Sequence, residues 1–217
     1  MKIGILGSGD VGRRLGKGCI ELGHHVMIGS RNPEKKELQK WLEEANNKEK
    51  AFVGSFAETS AFGDLIIIAT LWSGTEQAID LAIPTNFKDK IVVDTTNPLD
   101  FSKDNSPQLS IGFEKSAGEI IQSILSDSKI VKAFNIVGNL HMVKPDFPCG
   151  PPTMFICGDS DDAKRTVIEK LTSPFGWETI DLGGIDQSRL LEPLAMIWIN
   201  YYIKVGTANH AFKLLKK

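Results

Sequence analysis

The sequence predicts an α/β protein with a doubly wound, mostly parallel sheet, a short mixed extension and a long C-terminal helix. Short β-branched runs alternate with segments of helical periodicity, which is typical of successive βαβ units. The runs "LIIIA" and "IVVD" are apolar throughout, as expected for strands that helices cover on both faces. At 217 residues the chain suits a single domain, residues 1–217, with 186–217 as a helical extension.

The parallel part of the sheet is predicted from the first two thirds of the chain. Each strand there is a short apolar run followed by a turn or by a helix-like pattern. Strands are expected at about residues 2–7, 25–29, 51–54, 64–70, 90–96 and 129–135. Between the first two, Val11, Leu15, Cys19 and Leu22 recur at helical spacing.

Two further helices of the parallel part are indicated by local signals. Asn32 and Pro33 form a suitable N-cap and first turn for the helix of "EKKELQKWLEEANN". The segment "FEKSAGEIIQSILSD" supplies another helix before the sixth strand.

The mixed extension is predicted from a change of rhythm after the sixth strand. Residues 138–152 are rich in glycine and proline, so a crossover helix does not fit there. The next strand, at about 153–157, should therefore run antiparallel to its neighbour. A helix near 160–173, a strand near 177–182 and a long helix over about 187–216 complete the chain.

Composition excludes several classes of function. With a formal net charge of −2 the chain has no excess of cations to neutralise nucleic-acid phosphates, so no nucleic-acid partner is expected. The most apolar long stretch, "LLEPLAMIWINYYIKVG", is too short and too polar for a bilayer span of about 20 apolar residues, so no membrane partner is expected. Three cysteines without a CxxC pair predict reduced, buried thiols in a cytoplasmic protein.

A glycine-rich turn follows the first strand and precedes an amphipathic helix. The segment "GSGDVG" matches GxGxxG, a weak signal alone that this context strengthens. Gly7 suits the tight turn, Gly9 lets the backbone approach a pyrophosphate, and Gly12 lets the helix pack closely on the strand. The positive end of the helix then receives the phosphates, which predicts a Rossmann-type dinucleotide site. Asp10 is expected to point outward and cap the first turn.

The second strand ends in a hydroxyl and a cation where an acid is usual. A carboxylate about 20 residues past the glycines ordinarily accepts hydrogen bonds from the adenosine ribose. Ser30 and Arg31 occupy that place, and Lys35 follows. A carboxylate would repel a 2′-phosphate, whereas a guanidinium and a hydroxyl bind one through charge-assisted hydrogen bonds. The substitution predicts NADP(H) as the cofactor; a solvated basic turn is the alternative.

The rest of the pocket should lie at the carboxyl ends of the parallel strands. The segments that end there are Ala69–Trp72, Asp94–Pro98 and Ala133–Gly138. The side chains best placed to border a nicotinamide are Leu71, Trp72 and Asn97. The sequence contains no clear catalytic dyad or triad, and its histidines lack metal-ligand spacing, so neither catalytic residues nor a metal site is predicted.

Several segments taken together resemble a known family. They are "GILGSGDVG", "IGSRNPEK", "VVDTTNP", "VKAFN", "ICGDSDDAKR" and "SRLLEPLA", in order along nearly the whole chain. The sequence resembles the NADP-dependent oxidoreductases named for the deazaflavin coenzyme F420, and equally the cytoplasmic reductase domain of the six-transmembrane STEAP metalloreductases. The resemblance implies that the glycine loop, the "SR" pair and the next lysine bind NADP(H). The residues so implied are Ser8, Gly9, Asp10, Val11, Gly12, Ser30, Arg31 and Lys35, with Ala69, Thr70, Leu71, Trp72, Asn97, Pro98, Ala133, Phe134 and Asn135 on the nicotinamide side.

The resemblance also implies a reaction, namely hydride transfer between NADP(H) and a small-molecule acceptor such as FMN, FAD or coenzyme F420. Such a transfer requires two rings positioned face to face and little acid–base chemistry from the protein. Two other interpretations remain open. One is reduction of a small organic substrate, for which Lys132 and His141 are the candidate proton donors. The other is a non-catalytic module that senses NADPH.

The C-terminal helix is apolar around much of its circumference, which implies burial on more than one side. We therefore predict a homodimer in which this helix helps to form the acceptor pocket; a helix buried in its own domain is the alternative. The apolar residues are Leu190, Leu191, Leu194, Ile197, Trp198, Ile199, Tyr201, Tyr202, Ile203 and Val205.

Overall fold

A computed structural model describes residues 1–102 and 107–217 of the chain. Strands and helices alternate through most of its length, as the sequence predicts. The strands are β1 (Lys2–Leu6), β2 (His25–Gly29), β3 (Ala51–Gly54), β4 (Leu65–Ile68), β5 (Ile91–Asp94), β6 (Leu99–Asp100), β7 (Gln108–Leu109), β8 (Lys129–Lys132), β9 (Thr153–Ile156) and β10 (Glu178–Asp181). The α-helices are α1 (Asp10–Glu21), α2 (Lys36–Glu43), α3 (Phe56–Phe62), α4 (Thr75–Leu81), α5 (Ala117–Ile124), α6 (Asp161–Val167) and α7 (Ser188–Val205).

The central sheet has six parallel strands in the order β3-β2-β1-β4-β5-β8. β1 lies next to the point where the strand order reverses, and Ile3 is opposite both Val26 of β2 and Leu65 of β4. In sheets of this kind the ligand crevice opens at the carboxyl ends of the strands at that point. The doubly wound, Rossmann-type sheet predicted from the sequence is confirmed.

Helices cover both faces of this sheet. On one face, Leu15 of α1 and Trp41 of α2 pack with Ile5 in a core cluster that reaches α6 and α7. On the other face, Ile79 of α4 and Ile121 of α5 pack with strand residues of β4, β5 and β8. Every residue of β4 is fully buried, which is why "LIIIA" is apolar throughout.

The extension is a second, two-stranded sheet. β9 and β10 pair in parallel, with Thr153 opposite Glu178. β9 meets the edge of the central sheet at an antiparallel bridge, in which the amides of Lys132 and Cys157 exchange hydrogen bonds of 2.9 and 3.3 Å. The antiparallel direction predicted for the strand after residues 138–152 is confirmed. α6 continues into a π-helical segment, Ile168–Thr172.

The start of α2 differs from the prediction. Asn32 and Pro33 lie in a turn, where Asn32 Oδ1 accepts a hydrogen bond from Glu34 N at 3.2 Å. The helix begins only at Lys36, with Lys35 as its N-cap. The Asn-Pro pair suits a turn as well as a helix start, and here the turn brings Lys35 back toward the glycine loop.

The end of α7 also differs from the prediction. The helix stops at Val205, because Gly206 adopts a left-handed φ of 72° and donates its N–H to Tyr202 O at 2.8 Å. Beyond it the chain returns, and Phe212 O accepts a hydrogen bond from Thr153 N at 2.8 Å. The helix predicted to continue to residue 216 is therefore wrong over its last part, where the chain instead covers β9.

The three cysteines are free, but they are not all buried. Cys149 is exposed in the proline-rich loop before β9, so the prediction of a buried thiol is wrong there. Burial raises the pKa of Cys19 to about 12 and that of Cys157 to about 11, which leaves both thiols protonated and unreactive. None of the described helices combines the length and the apolarity needed to cross a membrane. The cytoplasmic location stays a prediction.

Candidate functional site

Three glycines shape the turn between β1 and α1. Gly7 has a φ of 120°, and a Cβ there would collide with the carbonyl of Ala69. A Cβ on Gly12 would collide with the carbonyl of Gly7, whereas a Cβ on Gly9 would meet no atom within 4 Å. Gly9 is the N-cap of α1 and supplies no capping side chain. The first N–H groups of α1 are thus left for a ligand, as a bound pyrophosphate requires.

Asp10 and Arg13 form an ion pair at the outside of this turn. The Asp10 side chain is 74% exposed and lies 2.5 Å from Arg13 Nη2. Arg13 Nη1 donates to Ser8 O at 2.7 Å, so one guanidinium links the helix to the loop. The outward orientation expected of Asp10 is confirmed, although no side chain caps the helix. Sequence reasoning missed Arg13, for which a cation directly after the third glycine was the available signal.

The end of β2 lies against the glycine loop. Ser30 is buried, and its hydroxyl accepts a hydrogen bond from Ser8 Oγ at 3.3 Å and from Asn32 N at 3.1 Å. Lys35 Nζ donates to Ser8 O at 3.3 Å, while Arg31 is exposed beside it. Two of the residues predicted to recognise a 2′-phosphate, Ser30 and Lys35, therefore contact the glycine loop, although the sequence separates them from it.

The carboxyl ends of four strands are aligned at the other half of the site. Leu6, Ile68, Asp94 and Lys132 stand opposite one another in successive strand pairs. The segments predicted to form the nicotinamide side, at 69–72, 97–98 and 133–135, all follow these residues. The register thus brings the three segments to one edge of the sheet, as expected.

The segment after β4 is the exposed wall of this edge. Thr70 Oγ1 and Thr75 Oγ1 lie 2.8 Å apart and tie the turn to the start of α4. Leu71 is 73% exposed, and Trp72 is half-buried against the core. An exposed leucine beside a partly exposed indole provides an apolar surface over which a planar ring can lie.

Two asparagines join the segments that follow β5 and β8. Asn97 Nδ2 donates to Asn135 O at 2.8 Å, and Asn135 Nδ2 donates to Asn97 Oδ1 at 2.9 Å and to Leu191 O at 3.0 Å. We call this pair the asparagine clasp. It connects two strand ends to α7 and holds their backbones at a fixed separation.

Two polar atoms near the clasp are buried without a partner among the described residues. They are Asn135 Oδ1 and Thr96 Oγ1, in side chains that are 5% and 3% exposed. A buried acceptor or hydroxyl left unpaired is costly, so these atoms suit a polar ligand group such as a carboxamide. Thr96 lies within "DTTNP", and sequence reasoning missed it among more prominent neighbours.

Three of the predicted nicotinamide-side residues are buried and can offer a ligand only their backbones. These are Pro98, Ala133 and Phe134. Phe134 has a left-handed φ of 62°, which is uncommon for a residue with a bulky side chain, and its ring packs 6.0 Å from that of Phe175. The core thus holds the backbone after β8 in a strained conformation at the edge of the site.

An ionic network lies directly beneath the asparagine clasp. Lys132 Nζ donates to Asp94 Oδ2 at 2.7 Å, to Glu192 Oε1 at 2.8 Å and to Thr96 O at 2.8 Å. All three side chains are 2% exposed or less. Glu192 also accepts hydrogen bonds from Ala117 N and Gly118 N at the start of α5, at 3.0 and 3.1 Å. We call Asp94, Lys132 and Glu192 the buried ion cluster.

The cluster makes Lys132 unsuitable as a proton donor to a substrate. Burial alone lowers the pKa of Lys132, but the charges of Asp94 and Glu192 and their hydrogen bonds outweigh it and raise that pKa above its ordinary value. All three N–H groups of the ammonium are already donated. The other candidate, His141, has its Nε2 3.2 Å from Asn209 Oδ1 and its ring 4.8 Å from Phe147.

Comparison with known proteins agrees with this geometry. Residues 2–98, which contain the glycine loop, the end of β2 and the ends of β4 and β5, match the family described as NADP oxidoreductase, coenzyme F420-dependent. The F420-dependent NADP reductase of Methanocaldococcus jannaschii is 30% identical over 221 residues, which cover 99% of this chain and 98% of that protein. The chain belongs to this family. It is an NADP-dependent oxidoreductase.

The resemblance to both groups of proteins is confirmed. A crystal structure of a candidate F420-dependent NADP reductase from Arthrobacter sp. FB24 superimposes with a TM-score of 0.93 and 35% identity, and the match covers 100% of both chains. Metalloreductase STEAP3 of Rattus norvegicus is 27% identical over 203 residues, which cover 90% of this chain and 36% of that larger protein. The fold is thus shared over the whole length of the chain with the Arthrobacter protein, and the sequence similarity to STEAP3 covers most of the chain and one part of that protein.

Replacement of Lys132 by Met should destabilise the fold strongly. The change leaves two carboxylates buried without a counterion, so we expect the free energy of unfolding to fall by about 3–5 kcal/mol. Because folding raises the pKa of Lys132, its stabilising effect is complete below the ordinary lysine pKa of about 10.4 and is lost as the pH rises through the folded value. Urea denaturation of wild type and variant between pH 7 and pH 11 measures both effects.

Lys164→Met is the matched control. Lys164 is also buried, at 4% exposed, but its partners Asp161 and Asp181 have side chains that are 86% and 39% exposed. Water can solvate these carboxylates when the lysine is lost, so this variant should be destabilised much less. Equal losses of unfolding free energy in the two variants would contradict the larger destabilisation that we expect from disrupting the buried ion cluster.

Proposed function

We propose that the protein transfers a hydride between NADP(H) and a deazaflavin or flavin, with coenzyme F420 as the first candidate acceptor. The observation that carries the proposal is the junction of β2 with the glycine loop, where Ser8, Ser30 and Lys35 are joined by hydrogen bonds of 3.3 Å. The hydroxyl of Ser30 and the cation of Lys35 at that junction support recognition of a 2′-phosphate. The acceptor is supported by the relatives that are named F420-dependent NADP reductases.

The adenosine half of NADP(H) would be bound by the glycine loop and the end of β2. The N–H groups at the start of α1 would bind the pyrophosphate over Gly9, where the backbone leaves open space. Arg31 and Lys35 would bind the 2′-phosphate, with Ser30 holding their turn in place through its bond to Asn32 N at 3.1 Å. The remaining loop residues, Ser8, Asp10 and Val11, would contact the cofactor chiefly through their backbones.

The nicotinamide half would lie over the strand ends. Its carboxamide fits the unpaired Asn135 Oδ1 and Thr96 Oγ1, and its ring would lie between Leu71 and the asparagine clasp. When bound, NADPH supplies the hydride from its nicotinamide ring to the facing acceptor. The residues of this chain would orient the ring, exclude water on its protein side and leave the other face open to the acceptor.

A cleft suited to the acceptor is lined by β7, which pairs with β6 at Leu99, two residues after Asn97 of the clasp. It has a volume of about 560 Å³ and lies between residues 107–113 and α7, where Pro193, Met196 and Asn200 line it. Pro193 directly follows Glu192 of the buried ion cluster, which supports a position of the acceptor near the nicotinamide side. Its volume lies in the range of pockets that hold a planar organic molecule of flavin size.

The two other interpretations receive less support from the site. Reduction of an organic substrate needs a proton donor beside the nicotinamide, and Lys132 is fully engaged while His141 is paired with Asn209. A non-catalytic NADPH sensor would bind the cofactor without turning it over. A cleft of flavin size along α7 favours the enzyme over the sensor.

We also propose that the chain forms a homodimer through α7. Leu190, Ile197 and Tyr201 are 61%, 61% and 52% exposed and form a stripe along one side of the helix. A contiguous apolar stripe of this kind is typical of a protein–protein interface. A second copy placed on it would also cover the cleft beside Met196 and shield the acceptor from water.

The proposed reaction predicts acceptor-dependent oxidation of NADPH. Absorbance at the NADPH band should fall when the protein is mixed with NADPH and coenzyme F420, and more slowly or not at all with FMN, FAD or no acceptor. Oxidation of NADPH with FMN or FAD but not with coenzyme F420 would indicate that the acceptor is a flavin. Tight NADPH binding without turnover of any acceptor would instead identify a sensor.

Replacement of Arg31 by Ala should weaken NADPH binding selectively. Hydrogen bonds to a charged group contribute about 1.5–3 kcal/mol each, so we expect the Kd of NADPH to rise by about 10- to 100-fold while that of NADH changes little. Isothermal titration calorimetry with both cofactors measures the difference. Lys36→Ala, an exposed cation at the start of α2, is the control and should leave both values unchanged. Equal losses for NADPH and NADH in Arg31→Ala would refute recognition of the 2′-phosphate.

The proposed dimer predicts a change of mass when α7 is made polar. Ile197→Asp places a charge in the apolar stripe, so the protein should sediment as a monomer where the wild type sediments as a dimer. Leu81→Asp, at an apolar position of α4 that is 48% exposed, is the matched control and should leave the dimer intact. A wild type that sediments as a monomer at micromolar concentration would contradict the interface.

A further inference from the structure

The buried ion cluster carries an excess of negative charge. It contains the carboxyl groups of Asp94 and Glu192 and the ammonium group of Lys132. Each of these three side chains is 2% exposed or less. Each carboxyl oxygen accepts a hydrogen bond from an N–H group: Asp94 Oδ1 from Thr96 N, and Asp94 Oδ2 and Glu192 Oε1 from Lys132. Glu192 Oε2 accepts from Ala117 N. Donors at all four carboxyl oxygens are the arrangement that stabilises a pair of carboxylates.

The excess charge is only partly compensated. Glu192 lies at the first N–H groups of α5, whose N-terminus carries a partial positive charge of about half a unit. The sum of two carboxylates, one ammonium and this helix terminus remains negative. Because the cluster is out of contact with water, its field is screened less than that of a surface group.

The cluster lies close to the predicted nicotinamide. Asp94 and Lys132 are the last residues of β5 and β8, and Lys132 Nζ holds the carbonyl of Thr96 at 2.8 Å. Leu191, whose carbonyl accepts a hydrogen bond from Asn135 of the clasp, directly precedes Glu192. Thr96 is two positions from Asp94 along the chain, Asn135 is three positions from Lys132, and Asn135 is bonded to the residue before Glu192.

The nicotinamide ring changes its charge in the reaction. The ring of NADPH is neutral, and loss of the hydride with its two electrons leaves a ring in NADP⁺ with one positive charge. A fixed negative charge nearby stabilises the positive ring and has little effect on the neutral one. We propose that the buried ion cluster makes the site bind NADP⁺ more tightly relative to NADPH, and so biases bound NADPH toward giving up its hydride.

This inference rests on the proposed function, because it requires NADP(H) at the site. It goes beyond that function by assigning a role to groups that touch neither the cofactor nor the acceptor. Asp94 and Glu192 are positioning and charge-bearing residues rather than catalytic ones. The role also accounts for an excess carboxylate beneath the site, where an ion pair alone would have sufficed to join α7 to the sheet.

The test compares equilibrium binding of NADP⁺ and NADPH. Glu192→Gln and Asp94→Asn each remove one negative charge at nearly constant volume. In each we expect the ratio of the Kd of NADP⁺ to the Kd of NADPH to rise by about three- to tenfold over the wild-type ratio. Structural damage to the site would weaken both cofactors and leave this ratio unchanged, because the two differ only at the nicotinamide.

A triple variant separates charge from structure. Lys132→Met, Glu192→Met and Asp94→Val together replace the cluster with apolar side chains, a replacement that buried ion networks often tolerate. The net negative charge is removed together with the cluster. This triple variant should show the same rise as Glu192→Gln, and it provides the measurement if a single variant does not fold.

Asp181→Asn is the control outside the site. Asp181 pairs with the buried Lys164 at 2.8 Å in the second sheet, so its loss removes a charge without changing the nicotinamide side. Its ratio should equal that of the wild type. An unchanged ratio in Glu192→Gln, Asp94→Asn and the triple variant, or an equal rise in Asp181→Asn, would overturn the inference. Failure of the wild type to bind either cofactor would instead overturn the proposed function.

Discussion

The rest of the site depends on the hydrogen bonds that the ammonium group of Lys132 donates. Its three hydrogen bonds join the end of β5, the end of β8 and α7 at distances of 2.7 to 2.8 Å. Through Glu192 the same network reaches the start of α5. Since a buried ammonium is tolerated only with all of its partners present, these four elements have one relative arrangement. The geometry of the asparagine clasp above the cluster is fixed by that arrangement.

The two halves of the site are built by different physical means. The proposed adenosine half consists of backbone geometry: glycines without Cβ atoms, the free end of α1 and a turn held by Ser30. The proposed nicotinamide half consists of buried polar side chains that fix two strand ends against α7. A glycine loop can be transferred among many enzymes of this fold, whereas the second half is particular to how α7 crosses the sheet. The choice of acceptor is therefore expected to depend on the second half.

Much of the first half of the site was predictable from the sequence. GxGxxG after an apolar strand, and Ser30-Arg31 in place of an acid, are local signals with a direct physical meaning. The second half was predictable only as segments that follow strands. Neither the pairing of Asn97 with Asn135 nor the involvement of Thr96 and Glu192 follows from spacing, because the partners come from distant elements. Arg13 was missed for another reason, since its role depends on a rotamer that reaches back to Ser8.

By itself the sequence determined the doubly wound sheet, its family and its cofactor class. Hydrophobic periodicity, glycine positions and single charged substitutions act over a few residues and can be recognised in one segment. Tertiary structure alone decided where α7 ends, which way the last residues run, and which charges meet beneath the site. Gly206 is one glycine among many in the sequence, and its left-handed turn ends a helix that the apolar pattern would continue. Likewise, nothing in the sequence distinguishes Asp94, Lys132 and Glu192 from other charged residues. Only folding removes water from around them and pairs Lys132 with both carboxyl groups.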